Sequence, residues 1–193
     1  MKTMHLILAT VLAAAPMTAV AAPWAIDKGH ASINFSINHF GFSDVHGQFR
    51  SFEAEIDFDP ENIDATSASF TIDAASFDTN LVARDDHVKS ADFLDVGEHP
   101  TITFVTTKVT QTGDDTAEVA GDMTIRGVTK AVVFQAELNQ LGVSPFDPEV
   151  EVAGFTISGE IDRTEFGMDT FAPAIGTMLP VVINFEMSPA SAD

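Results

Sequence analysis

Apolar and polar residues alternate one for one along most of this chain, and that period predicts strands. Between Ala31 and Phe40, Ile33, Phe35 and Ile37 share one parity, while Ser32, Asn34, Ser36 and Asn38 take the other. Gly41 to Asp44 reads as a turn. The next run, Val45 to Phe58, changes phase midway. Val45, Gly47 and Phe49 alternate first, then Phe52, Ala54, Ile56 and Phe58 on the opposite parity. A bulge at Arg50-Ser51 would repair the register and bend the strand, as a closed sheet needs. Thr66, Ala68, Phe70 and Ile72 form the next inward face. Later strands carry Ile102 and Phe104 as far as Val109, then Ala117 to Ile125, with a hairpin turn at Arg126-Gly127. The return strand holds Val128, Val132, Phe134, Ala136 and Leu138. Phe155, Ile157 and Ile161 mark another, and a looser stretch with Pro173, Gly176 and Pro180 leads into Val181, Ile183, Phe185 and Met187. About eight antiparallel strands at regular spacing predict an all-β barrel or sandwich.

One segment breaks the alternation. From Ser76 to Pro100, Leu81, Val88 and Ala91 fall on one face at helical spacing, with Arg84, Asp85, Asp86 and Lys89 elsewhere. Asp78, Thr79 and Asn80 are N-cap candidates, Gly97 offers a stop and Pro100 restarts extended chain. A short helical insert in an all-β chain predicts a lid or wedge on the sheet.

Length and composition then narrow the class. The chain has 193 residues, which suits one domain. Lys2 and His5 precede an apolar run from Leu6 to Val20, and Ala19-Val20-Ala21 has the small residues of a cleavage site. Residues 1–21 therefore read as a signal peptide, leaving 22–193 as a single exported domain, with a bacterial periplasm as the expected compartment. There is no cysteine, so no disulfide, thiolate nucleophile or cysteine-held metal exists. The net charge of −20 disfavours nucleic acid and anionic headgroups as partners. The chain also holds 16 Phe and no Tyr. Phe rings cannot hydrogen-bond, so they either pack a core or line a hollow. Periodicity leaves both readings open.

Several stretches together resemble the YceI-like family, described as polyisoprenoid-binding and lipocalin-like. They are Thr79 with Arg84-Asp85-Asp86-His87-Val88-Lys89-Ser90-Ala91-Asp92-Phe93, Pro100 to Phe104, and Gly121 to Thr129. Asn38-His39-Phe40-Gly41-Phe42 and Arg163 with Phe166-Gly167 complete the set. The resemblance runs from Trp24 to Met187. It implies a closed antiparallel lipocalin-like barrel that carries a long apolar chain, polyisoprenoid or fatty-acyl, often as a homodimer. Departures from the family pattern stand at Ala31, at Leu94, at Met178-Leu179-Pro180 and after Pro145. They fall at loops and the barrel mouth, where a ligand would enter.

The expected ligand contacts follow from parity and motif. Phe35, Phe49, Phe70, Phe104, Phe134 and Phe185 sit on apolar strand parities. His39, Arg84, Asp85, His87 and Phe93 belong to the mouth and insert. Arg84 and His87 could clamp a phosphate or carboxylate head, since a guanidinium fork matches such oxygens. Alternatively Arg84 pairs with Asp85, Asp78 or Asp162 and only anchors the insert. No Gly-x-Ser-x-Gly elbow occurs, so an enzyme is not expected. The histidines show no metal-ligand spacing, and neither metal nor cofactor is expected. A carrier of this kind would touch membranes transiently. Two other classes stay in view: a filled dimeric barrel acting through its surface in stress or assembly, and a metal- or haem-handling module using His39 and His87.

Overall fold

The computed structural model describes residues 23–190; the expected signal peptide lies outside the described residues. Strands β1 (Trp24–Ile26) and β2 (Ser32–His39) run end to end along one neighbour, β11 (Met178–Pro189), so they act as one broken stave. β3 (Ser43–Phe49) and β4 (Phe52–Asp57) do the same beside them. β5 (Ser67–Asp73) pairs β4, and the short β6 (Phe77–Asp78) pairs β3. β7 (Thr101–Gln111), β8 (Thr116–Ile125), β9 (Val128–Val143) and β10 (Glu151–Asp162) then lead by antiparallel pairing back to β11. The ring closes into eight antiparallel staves. Closure pairs most of the sheet edges, and the stretch Ser43–Gly47 of β3, beside the short β6, is left with a neighbour on one side only.

The phase change seen in the sequence is a break in the stave. β3 stops at Phe49 and β4 starts at Phe52, and the Arg50 N–H and Ser51 carbonyl bond to Ser76 and Asp73 instead. The barrel bends there, and the insert begins against that bend. Two other expectations need correction. β9 continues past Leu138 to Val143, and β11 begins at Met178, so Pro180 lies inside it. Pro180 opposes Glu160 of β10, before the pairing with β2 starts at Val181. A proline is tolerated at such a half-paired position.

Inward side chains of the staves form one large apolar cluster near the insert, including Ile33, Phe52, Ile72, Phe77, Ile102, Phe104 and Phe134, joined by Phe166 of the turn after β10. A second, around Trp24, Ile56, Phe58, Ala153, Phe185 and Met187, sits toward the opposite end. There Trp24 meets Phe58 edge-on, with ring centroids 5.3 Å apart, and Phe58 meets Phe155 likewise at 5.3 Å.

Candidate ligand-binding site

The barrel is hollow. A cavity of about 620 Å³ runs inside it, lined from Arg84 and His87 at one end to Gln111 and Thr116 at the other. That volume lies within the roughly 300–1,000 Å³ usual for small-molecule sites. The reason for the hollow is local. Gly47, Gly121 and Gly159 all face inward, and each lies beneath a phenylalanine of an adjacent strand. A Cβ at Gly47 would fall 2.3 Å from the Phe35 ring, at Gly121 2.3 Å from Phe104, and at Gly159 2.5 Å from Phe134. The three rings therefore fold down onto bare backbone instead of projecting to the axis. Ala68, Ala117 and Ala136 keep the remaining wall low.

Ten of the expected contacts line this cavity: Phe35, His39, Phe49, Phe70, Arg84, His87, Phe93, Phe104, Phe134 and Phe185. Asp85 does not. It is 7 % exposed and its carboxylate accepts from the Thr79 N–H at 2.9 Å and from the Thr79 hydroxyl. Arg84 reaches the same residue, donating from Nε to Thr79 Oγ1 at 2.7 Å and from a terminal nitrogen to the Thr79 carbonyl at 2.8 Å. None of the expected Asp85, Asp78 and Asp162 is its hydrogen-bond partner. Asp78 pairs with Arg50, and Asp162 accepts from the Thr164 hydroxyl and N–H. Arg84 is thus both an anchor, through Thr79, and part of the wall.

The helix is shorter than the sequence pattern suggests. α1 spans Val82–Lys89 with Leu81 as N-cap, and no side chain caps it. The carboxylate of Asp85, reaching back to Thr79, holds the entry in place of the expected Asp78, Thr79 or Asn80 side chains. Of the three residues expected on a common face, Val88 borders the cavity while Leu81 and Ala91 are exposed. Beyond Lys89 the chain turns sharply, with the Leu94 N–H donating to the Val88 carbonyl at 2.9 Å, and this drives Phe93 and Leu94 into the barrel.

Two arginines that parity could not assign organise the mouth. Arg126, at φ 51° in the β8–β9 turn, donates to the Gly167 carbonyl at 2.6 Å and the Ala91 carbonyl at 2.8 Å, tying the insert to the loop before β11. Arg163 is 2 % exposed and donates to the carbonyls of Gly176 at 2.9 Å, Ile175 at 3.0 Å and Met168. Its guanidinium also stands 5.9 Å from the Phe93 ring centre. Burial pushes the Arg163 pKa down, with Asp162 and Asp169 holding it up. Asp78 and Asp162 lie at the other hinges of the mouth. The Asn80 N–H and Arg50 hold Asp78 below its usual 3.8, and Thr164 does so for Asp162. Their contribution is present above that value and is lost as pH falls through the depressed ones.

Among the described residues no group of three or more His, Asp or Glu could hold a metal ion. His39 ends β2 and meets Phe40 edge-on, and His87 bonds to Asp92 at 3.1 Å between the rings of Phe93 and Phe171. They face the cavity apart from one another's bonds, each with its own aromatic partner.

Comparison with known proteins places the architecture. A family model described as the YceI-like domain matches residues 24–187. The chain belongs to the YceI-like family. A UPF0312 protein of Vibrio cholerae serotype O1 is 41% identical over 155 residues, covering 79% of this chain and 81% of its own. Among solved structures, a Campylobacter jejuni YCEI protein superposes with TM-score 0.72 at 29% identity, over 80% of this chain and 91% of that one. BcnA of Burkholderia cenocepacia shares the fold at TM-score 0.76 and 23% identity, over 84% of this chain and 99% of its own. So does a polyisoprenoid binding domain from Saccharophagus degradans, at TM-score 0.68 and 13% identity, over 88% of this chain and 99% of that one.

The geometry sets an expectation for Arg84→Ala. Asp85 still holds Thr79, so the loss of stability should stay near 1–2 kcal/mol, the scale of two partly exposed hydrogen bonds. Chemical denaturation measures it; a much larger loss would make Arg84 chiefly an anchor.

Proposed function

We propose that this YceI-like protein is an exported carrier of a long-chain apolar lipid in the periplasm, with an isoprenoid as the first candidate. One observation carries the reading: a cavity of about 620 Å³ whose wall is almost entirely hydrocarbon. An empty apolar hollow of that size costs packing contacts, and a hydrocarbon chain restores them. Each methylene enclosed is worth roughly 0.8 kcal/mol before ordering and association costs. Phe-rich walls, whose hydroxyls come from Thr66, Thr79, Thr106 and Thr116, suit a mostly featureless tail and discriminate by length and shape.

The two ends of the cavity differ. Asp114 and Asp115 border the far end, while Arg84, His39 and His87 border the mouth. An anionic or carbonyl head would therefore sit at the mouth, with the tail directed inward. The reading needs neither metal nor cofactor, and the described description of the Saccharophagus domain as polyisoprenoid-binding agrees with it. A homodimer is the assembly expected from the family resemblance. A filled barrel acting through its surface does not agree with the hollow.

Solvent extraction of freshly purified protein, followed by mass spectrometry, is expected to recover one class of apolar chain in repeated preparations. Consistent recovery of none would overturn the carrier.

A further inference from the structure

The rim of the mouth carries aromatic rings that stand about half or more open to solvent. Phe42 is 91 % exposed, Phe171 53 % and Phe40 48 %. Phe40 and Phe171 also have left-handed backbone, with φ 56° and 60°. Bulky side chains are disfavoured there, and glycine or asparagine is preferred. Each position thus joins an unfavourable backbone to a half-wetted apolar ring. The two segments touch: the Phe40 N–H donates to the Ala174 carbonyl at 3.2 Å, and His39 bridges Ile175. Phe40 and Phe171 line the cavity as well, so the exposed lip and the apolar lumen form one continuous surface.

Charge separates this lip from the far end of the barrel. Residues 40–43 and 170–182 contain no charged side chain, and the carboxylates beside them are those of Asp44, Asp92 and Asp169, in a chain of net charge −20. The far-end turns, 59–66, 112–115 and 144–150, contain Asp59, Glu61, Asp64, Asp114, Asp115, Asp147 and Glu149 but no lysine or arginine. Phe146 is exposed there with Val143 and Val150 in the same turn, beside Asp147 and Glu149. That end is repelled by anionic headgroups, whereas a neutral aromatic lip is not.

We propose that this lip docks on a phospholipid surface, with Phe40, Phe42 and Phe171 entering the headgroup layer so that the mouth opens against the apolar phase. The purpose rests on the carrier reading: an apolar chain passes from bilayer to barrel without crossing water only if the lip sits in the layer that holds it. Continuity of lip and lumen favours a membrane over a second copy, which would cap the mouth and close the route. Insertion of rings at the interface follows apolar area and withstands salt.

The test floats secreted protein, its leader removal checked by intact mass, with vesicles of phosphatidylethanolamine and phosphatidylglycerol. The comparison is the triple variant Phe40→Asn, Phe42→Ser, Phe171→Asn. Wild type is expected to float at low and high salt, and the variant's partition to fall at least about tenfold. The variant's Tm should be unchanged or higher, because asparagine accepts the left-handed backbone. Equal flotation of the two, or none by wild type, overturns the proposal. So does a wild-type dimer that the variant breaks while neither floats. Uptake of the neutral probe N-phenyl-1-naphthylamine from solution reads the cavity separately. Flotation without uptake counts against the carrier and leaves the docking surface standing.

Discussion

Ala136→Trp is expected to abolish lipid retention while leaving the barrel folded. Ala136 lies on β9 opposite Ala117 on one side and Ile157 on the other, and its methyl borders the cavity. An indole there projects into open volume instead of neighbouring side chains. The cost to stability should stay within the roughly 1–3 kcal/mol of an overpacked core, and less where the ring finds empty space. The ligand has no such freedom, because it must share about 620 Å³ with the new ring. Extraction and mass spectrometry should therefore show the chain lost or replaced by a shorter one, with far-UV and near-UV circular dichroism unchanged. Retention of the same lipid in the same yield would mean that it lies outside the barrel.

Arg163→Met is expected to act on stability first, lowering it by roughly 3–5 kcal/mol. The side chain is nearly sealed from water, and three backbone carbonyls on the loop before β11 depend on it. Methionine fills much of the volume but donates nothing, so those carbonyls are left in an apolar setting at about 1–3 kcal/mol each, not fully additive. For a chain of this length the loss corresponds to a fall in Tm of about 10 °C or more. Arg163→Lys should recover only part of it, since one ammonium cannot span three acceptors held by a planar fork. A methionine variant as stable as wild type would show that the loop is held by its other bonds, among them Arg126 to Gly167, the Thr170 hydroxyl to the Asp92 carbonyl and the Phe40 N–H to Ala174.

The two variants separate what the mouth and the lumen each contribute. Loss of Arg163 loosens the loop that carries Phe171 and Ile175, whereas Ala136→Trp leaves that loop untouched and removes only space. Hydrogen exchange confined to 163–177 in the first case, and absent in the second, would confirm the division.

Much of the architecture was legible in the chain. Alternation placed the staves because a half-buried strand has a period that chemistry cannot disguise, and the phase change at Arg50-Ser51 marked a real break. The same parity selected Phe35, Phe49, Phe70, Phe104, Phe134 and Phe185 as inward residues, and all of them line the cavity. The insert was visible as a departure from that period, but its details were not. Asp85 carries helical spacing and a charge, which suggests an exposed or ligand-facing group. Its actual role, accepting from Thr79, depends on where the preceding turn places a backbone N–H. Arg126 and Arg163 were legible only as turn and motif residues, because the carbonyls they hold lie far along the chain or around a bend.

Local alternation by itself determined that this protein is an antiparallel all-β barrel or sandwich with phenylalanine on the inward parity, since side-chain direction in a strand is a nearest-neighbour property. Whether those rings fill the interior or leave it open was decided only in three dimensions. The answer depends on which residue lies under each ring on the adjacent strand, and register across strands is set by closure of the whole barrel. Glycines under Phe35, Phe104 and Phe134 let the rings lie against the wall, and the axis is left empty.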